Sequence, residues 1–268
     1  MRIQVILIFL FGLSILGKAQ NELTEQQIKA KTDSILIEGN LLFQYEKAAW
    51  ISIDLAMEQK NIKKKFGGYI VYQKIDTIKT IILNKDNQCV YELSFINDFS
   101  SPTKEVLSLR ELNENESKLL TIKNKILNQI VEKKYEVSCP DGFSLNMELI
   151  PFASGYKLYI LTGTSQSQII PFGNDYLFLT DPNGEILSMR KFHSRLISTM
   201  TKGPNGEQVT ESIHSHLRTE PFISATDICT FKLYGSLYGQ NEFKVYSPGL
   251  STYFTYSLID NNIKIEKN

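Results

Sequence analysis

The sequence predicts an α+β protein, and three observations carry that prediction. A long stretch near the amino terminus keeps helical spacing of its apolar residues. Short β-rich runs separated by Gly, Pro, Asn and Asp turns fill most of the remainder. With 268 residues, 42% hydrophobic and 22% charged, the chain can bury a sizeable core, which excludes disorder, collagen and coiled coil as whole-chain descriptions.

The first residues read as an export signal rather than as part of the fold. Arg2 supplies a short basic region, Ile3 to Gly17 is an apolar run, and Gly17-Lys18-Ala19 places small residues before a cleavage point at Gln20. The run is shorter than the roughly 20 residues that cross a bilayer. The expectation is a signal peptide over 1–19, removed to leave a periplasmic or extracellular protein with no transmembrane segment. Loss of Arg2 and Lys18 leaves 27 basic against 29 acidic residues, so no field of either sign recommends nucleic acid as a partner. Cys89, Cys139 and Cys229 allow at most one disulfide.

Residues 23–62 predict one long helix. Ile28, Ile35, Leu36, Leu42, Tyr45, Ala49, Ile53 and Ala56 form its apolar stripe, Thr24 is its N-cap, and Gly39-Asn40 bends or interrupts it. Lys63–Lys65 and Gly67-Gly68 end it. Runs at 69–75, 78–83 and 89–96, the last two separated by an Asn84–Asn87 turn, predict an antiparallel meander packed on the helix. A second helix is expected at 113–133, with Leu119, Ile122, Ile126, Leu127 and Ile130 on its apolar face. Strands follow at 144–153 and 156–163 across Ser154-Gly155, at 175–181 and 185–193 across Pro182-Asn183-Gly184, and at 208–216. A helix at 225–238 and strands at 243–248 and 251–259 close the chain. This divides the mature protein into an accessory α+β part, 20–110, and a second α+β part, 111–268.

The chemistry concentrates in the second part. The three histidines of the chain all fall between His193 and His216. His214 and His216 lie one residue apart on a predicted strand, so both imidazoles project from one face. Seven residues on, Ser224-Ala225-Thr226-Asp227 opens the next helix and can turn the Asp227 carboxylate back to the strand end. Two histidines, one aspartate and an open position for water suit a catalytic zinc ion. Ser224 and Asp227 also have the form of a helix capping box, which alone would explain them. His193 reads as a surface histidine ahead of a fourth ligand or substrate contact, Asp175 as a turn residue that could lie near the same end of the sheet, Cys229 as a buried structural cysteine, and Trp50 as core packing against the meander.

His-Ser-His, seven residues, then Ser-x-x-Asp resembles the signature of the JAMM (MPN+) zinc metalloproteases. The resemblance implies that 111–268 is a JAMM-like mixed β-sheet with flanking helices. It implies His214, His216 and Asp227 as zinc ligands and Ser224 as the donor that steadies the tetrahedral intermediate. An upstream glutamate would handle protons. Glu148, which opens the Glu148–Leu161 hairpin, is the candidate, with Glu207 and Glu211 nearer in sequence. Family members carry proline after the second histidine, where this chain has Leu217. The implied activity is hydrolysis of a peptide or isopeptide amide in an unidentified peptide or protein substrate, through a metal-bound water. The alternative is an exported, non-catalytic binding or envelope protein with a degenerate JAMM-like domain.

Overall fold

A computed structural model describes residues 23–268, so the export signal expected over 1–19 lies outside the described residues. The protein is α+β: a long first helix, several antiparallel sheets and one mixed sheet. Helix α1 spans Glu25–Glu58. Thr24 caps it reciprocally with Gln27, satisfying two backbone donors that a helix start leaves free. Of the bend or interruption expected at Gly39-Asn40, the interruption is absent, and the helix is continuous through both residues. The reason is contact with α4 (Ala225–Tyr234): a Cβ at Gly39 would lie 2.8 Å from the Ile228 Cβ. Glycine is there so that two helices can approach, not so that one can break. The helix ends at the extended residue Gln59. Lys63–Lys65 therefore lie in a separate helix, α2 (Lys60–Lys65), rather than beyond the end of the first.

Strands β1 (Phe66–Lys74), β2 (Thr77–Asn84), β3 (Cys89–Phe95) and β4 (Lys104–Arg110) form an antiparallel sheet in that order. Successive residues of this sheet point to opposite faces. Ile82, Leu93 and Phe95 join α1 in one core, whereas Ile70, Ile81 and Leu83 join α3 (Glu114–Glu132) in another. Strand β4 has no counterpart among the expected elements. It is an edge strand with Leu107 and Leu109 exposed, so it lacks the alternation that burial of one face imposes.

The next sheet holds β5 (Ser144–Phe152), β6 (Gly155–Gly163), β8 (Tyr176–Thr180) and β9 (Ile186–Lys191), all antiparallel. It repeats the two-faced arrangement, with Leu158 and Ile160 towards α3 and Tyr159 and Leu161 in the core shared with α1 and α4. Two five-residue strands outside the expected set, β7 (Ile169–Gly173) and β10 (Leu196–Met200), pair with each other. The last sheet runs β11 (Glu211–Ser215), β12 (Glu242–Ser247), β13 (Thr252–Ser257) and β14 (Asn262–Lys267). Its first pair is parallel, as the α4 crossover between them requires. Strand β14 follows where the chain was expected to finish with β13; it is a mostly exposed edge.

Helix α4 is buried over nine of its ten residues, enclosed by α1, β7 and the β12–β13 pair. The Phe231 and Phe243 rings pack tilted, 4.7 Å apart, and Phe172 lies 5.2 Å from Phe243. This packed layer fixes the helix whose first turn carries Asp227.

Candidate metal centre

Strand β11 alternates exposed and buried residues, turning Ser212 and His214 inward. His216 lies just past the strand end, where its amide still donates to the Tyr246 carbonyl at 2.9 Å, so the two-residue period carries on and both imidazoles share a face. Phe172 and Phe243 flank the His214 ring at 5.0 and 6.1 Å. Asp227 is the third residue of α4. Its Oδ2 accepts from the Ser224 amide at 2.9 Å and the Ser224 hydroxyl at 2.7 Å, while the Asp227 amide donates to Ser224 Oγ at 3.0 Å. The helix start thus forms the capping box that the sequence allowed.

The remaining oxygen, Oδ1, is buried and has no hydrogen-bond partner. It lies 3.3 Å from the Nε2 atoms of both His193 and His214, without the alignment of a hydrogen bond. His216 Nε2 lies 3.0 Å from Oδ2, 2.9 Å from His193 Nε2 and 3.3 Å from His214 Nε2. Three imidazole nitrogens and one carboxylate, all buried, converge within 4.8 Å of one another. Ligands bonded to zinc at 2.0–2.1 Å sit about 3.3 Å apart along the edges of a tetrahedron. The spacing found here is that of a donor set around one small cation.

His193 corrects an expectation. It is not a surface residue but 2% exposed, and it belongs to the group. Burying it is tolerable because both ring nitrogens have partners. Its Nδ1 is 2.8 Å from Asp175 Oδ1, and the other Asp175 oxygen accepts from the Thr226 hydroxyl. Asp175, expected as a turn residue, therefore holds the histidine behind the centre, an arrangement that orients metal-binding imidazoles. The turn that places it needs Gly173, whose φ is +75° and where a Cβ would meet the Arg195 carbonyl at 2.4 Å. The sequence allowed His193 as a fourth ligand and Asp175 near the same sheet end, but a surface histidine and turn chemistry sufficed to explain them; the signal for His193 was the crowding of all three histidines into a short stretch.

Electrostatics follow this packing. Burial disfavours charge on His193, yet Asp175 and Asp227 outweigh it and hold the imidazole well above its ordinary value. Burial lowers His214. Burial would raise Asp227, but the surrounding histidines hold its carboxyl well below the usual carboxylate range.

The structure brings His214, His216 and Asp227 together, with Ser224 adjacent. The Ser224 hydroxyl, however, is committed to Asp227 and to Thr226 Oγ1 at 2.8 Å. Glu148 is not in the group. It lies on β5, where its Oε1 accepts from the Tyr69 hydroxyl at 3.1 Å and its charged neighbours are Glu46 and Lys123. Glu207 accepts from the Asn205 amide at 3.0 Å within its own turn, and Glu211 is exposed and 3.8 Å from Lys244. Among the described residues the donor set contains no glutamate. Cys229 is buried and outside the set, and the three cysteines are free. A cavity of about 320 Å³ borders the centre, lined by His193, Arg195, Ile197, His214 and Leu217.

No family model matches the chain, and neither a curated protein nor a solved structure matches it.

Proposed function

We propose that the protein is an exported binding or envelope protein with a degenerate JAMM-like domain, built around one closed zinc centre of His193, His214, His216 and Asp227. The observation that carries this reading is the convergence of three imidazole nitrogens on the Asp227 carboxylate, whose Oδ1 has no hydrogen-bond partner. Imidazole-rich sets of four suit zinc, whereas calcium and magnesium take oxygen ligands. Four protein donors leave no position free, which is the habit of structural rather than catalytic sites. Both residues implied in catalysis, Glu148 and Ser224, are engaged elsewhere, which also supports a non-catalytic centre. The histidine strand, the capped helix and the parallel return strand support the JAMM-like reading. Once bound, the ion supplies a cross-link between the loop after β9, the end of β11 and the start of α4. Export rests on Arg2, the apolar run and the Gly17-Lys18-Ala19 cleavage pattern.

The test is metal content of purified protein beside His216→Ala. Zinc near one equivalent, lost in the variant, is expected. Protein purified without chelators and free of metal overturns the reading.

One observation favours a second reading, hydrolysis of an amide. The cavity reaches His193 and His214, so a substrate could approach the centre. His193 would then move a proton at Nε2, with Asp175 fixing its tautomer, and only three residues would bind the ion. His193→Ala separates the two. A closed centre loses zinc affinity at least tenfold, whereas a hydrolytic one keeps its zinc and loses only turnover of an amide substrate.

A further inference from the structure

The cavity beside the metal centre holds a charge that the centre does not use. Four arginines fall among the described residues, and three of them are engaged. Arg110 pairs with Glu92 and Glu116, Arg190 pairs with Glu220, and Arg218 donates to the Pro248 carbonyl at 3.3 Å. Arg195 alone has no side-chain partner among the described residues, and it lines the cavity of about 320 Å³. Its backbone, by contrast, is held in place. The Asn174 amide donates to the Arg195 carbonyl at 3.2 Å, and Leu196 pairs across from Gly173. The turn that aims Asp175 at His193 therefore also sets the arginine at the cavity.

The lining contains this arginine and no acid. A guanidinium keeps its charge in proteins and presents its N–H groups as a planar fork, which meets a carboxylate with two parallel hydrogen bonds. Ile197 on β10 and Leu217 after β11 supply the apolar part of the wall, and Leu217 is 40% exposed. Inorganic phosphate gains nothing from these two side chains. A carboxylate on a branched carbon chain meets both the fork and the aliphatic wall. The volume lies at the small end of ligand sites, so the occupant is small.

We propose that this cavity binds a small aliphatic carboxylate, its carboxylate on the Arg195 guanidinium and its carbon chain against Ile197 and Leu217. The inference rests on the metal reading, in which zinc ties the His193 loop to β11 and so holds the walls of the cavity together. Zinc also brings two positive charges, which Asp227 and Asp175 answer, leaving that of Arg195 for the ligand.

Purified full-length protein, its zinc content measured in the same sample, is titrated at constant ionic strength with isovalerate or isovaleramide. Saturation-transfer NMR of the ligand methyl groups reads the binding. Saturation by the acid below about 10 mM is expected, with the neutral amide about tenfold weaker or more. Arg195 is exposed and outside the donor set, so Arg195→Gln is expected to keep its zinc and its thermal unfolding while binding the acid about tenfold more weakly. Equal binding of acid and amide, no saturation by about 10 mM, or unchanged binding by Arg195→Gln overturns the proposal. Inorganic phosphate displacing isovalerate at equal concentration overturns the assignment to a carboxylate. Protein without zinc overturns the metal reading instead, and the acid-against-amide comparison then decides the cavity by itself.

Discussion

Two buried polar groups flank the helix pair α1–α4, and they solve opposite problems. The first gathers three imidazoles around Asp227, with Asp175, Thr226 and Ser224 hydrogen-bonded behind it and His216 Nδ1 buried without a partner. The second sets Glu46 and Glu148 beside a single lysine. In the first the excess is of lone pairs, in the second of buried acids, both of which burial raises above their ordinary values. A buried polar group without a partner is costly, so each excess marks the kind of cation that would relieve it. A metal ion suits the nitrogens and a proton suits the carboxylates. The difference lies in donor chemistry, since the acids of both groups are buried.

The largest effect that could break this contrast is on stability with metal. Zinc at about a thousand times its dissociation constant is expected to stabilise the wild type by about 4 kcal/mol, read as a rise in Tm. His214→Ala should remove the rise, and an equal rise in that variant would place the ion elsewhere. Next is the outer layer. Asp175→Asn leaves the four donors in place but removes the charge behind His193, and a loss of about 10–100-fold in zinc affinity is expected from competition with a chromophoric chelator.

The acidic group answers to pH. The Glu46 carboxyl is raised from 4.5 to about 6 by burial, so the folded protein holds that proton longer than the unfolded chain does. The wild type therefore loses stability as pH rises from 4.5 through 6, and Glu46→Gln keeps only the loss that the buried Glu148 contributes. In urea unfolding, the variant should be more stable by about 2 kcal/mol above pH 7, with the gain vanishing below pH 4.5. A gain that persists at low pH would show that charge is not its source. Smallest is Gly39→Ala, where the two groups' helices meet. Contact with Ile228 costs about 1–3 kcal/mol and better helix propensity returns about 0.5–1, for a net loss of about 1 kcal/mol.

What was legible in the sequence is what is local. The two-residue spacing of His214 and His216 and the three-residue step from Ser224 to Asp227 are periods of a strand and a helix start, and both hold in the structure. His193 and Asp175 are brought in by a loop and a tight turn, and no period announces either. Edge strands β4 and β14 bury little, so their residues carry no alternation to read. Gly39 shows only a missing side chain; Ile228, which explains it, is far along the chain.

Asp227 has two jobs at once: Oδ2 closes the capping box of α4 and Oδ1 faces the histidines. Ion loading and fraying of the first helical turn are therefore one linked equilibrium, because opening the turn releases a ligand and losing the ion frees the carboxylate to swing away. Amide hydrogens at Thr226, Asp227 and Ile228 would then exchange with solvent on the timescale of metal release, making the helix start a built-in recorder of occupancy.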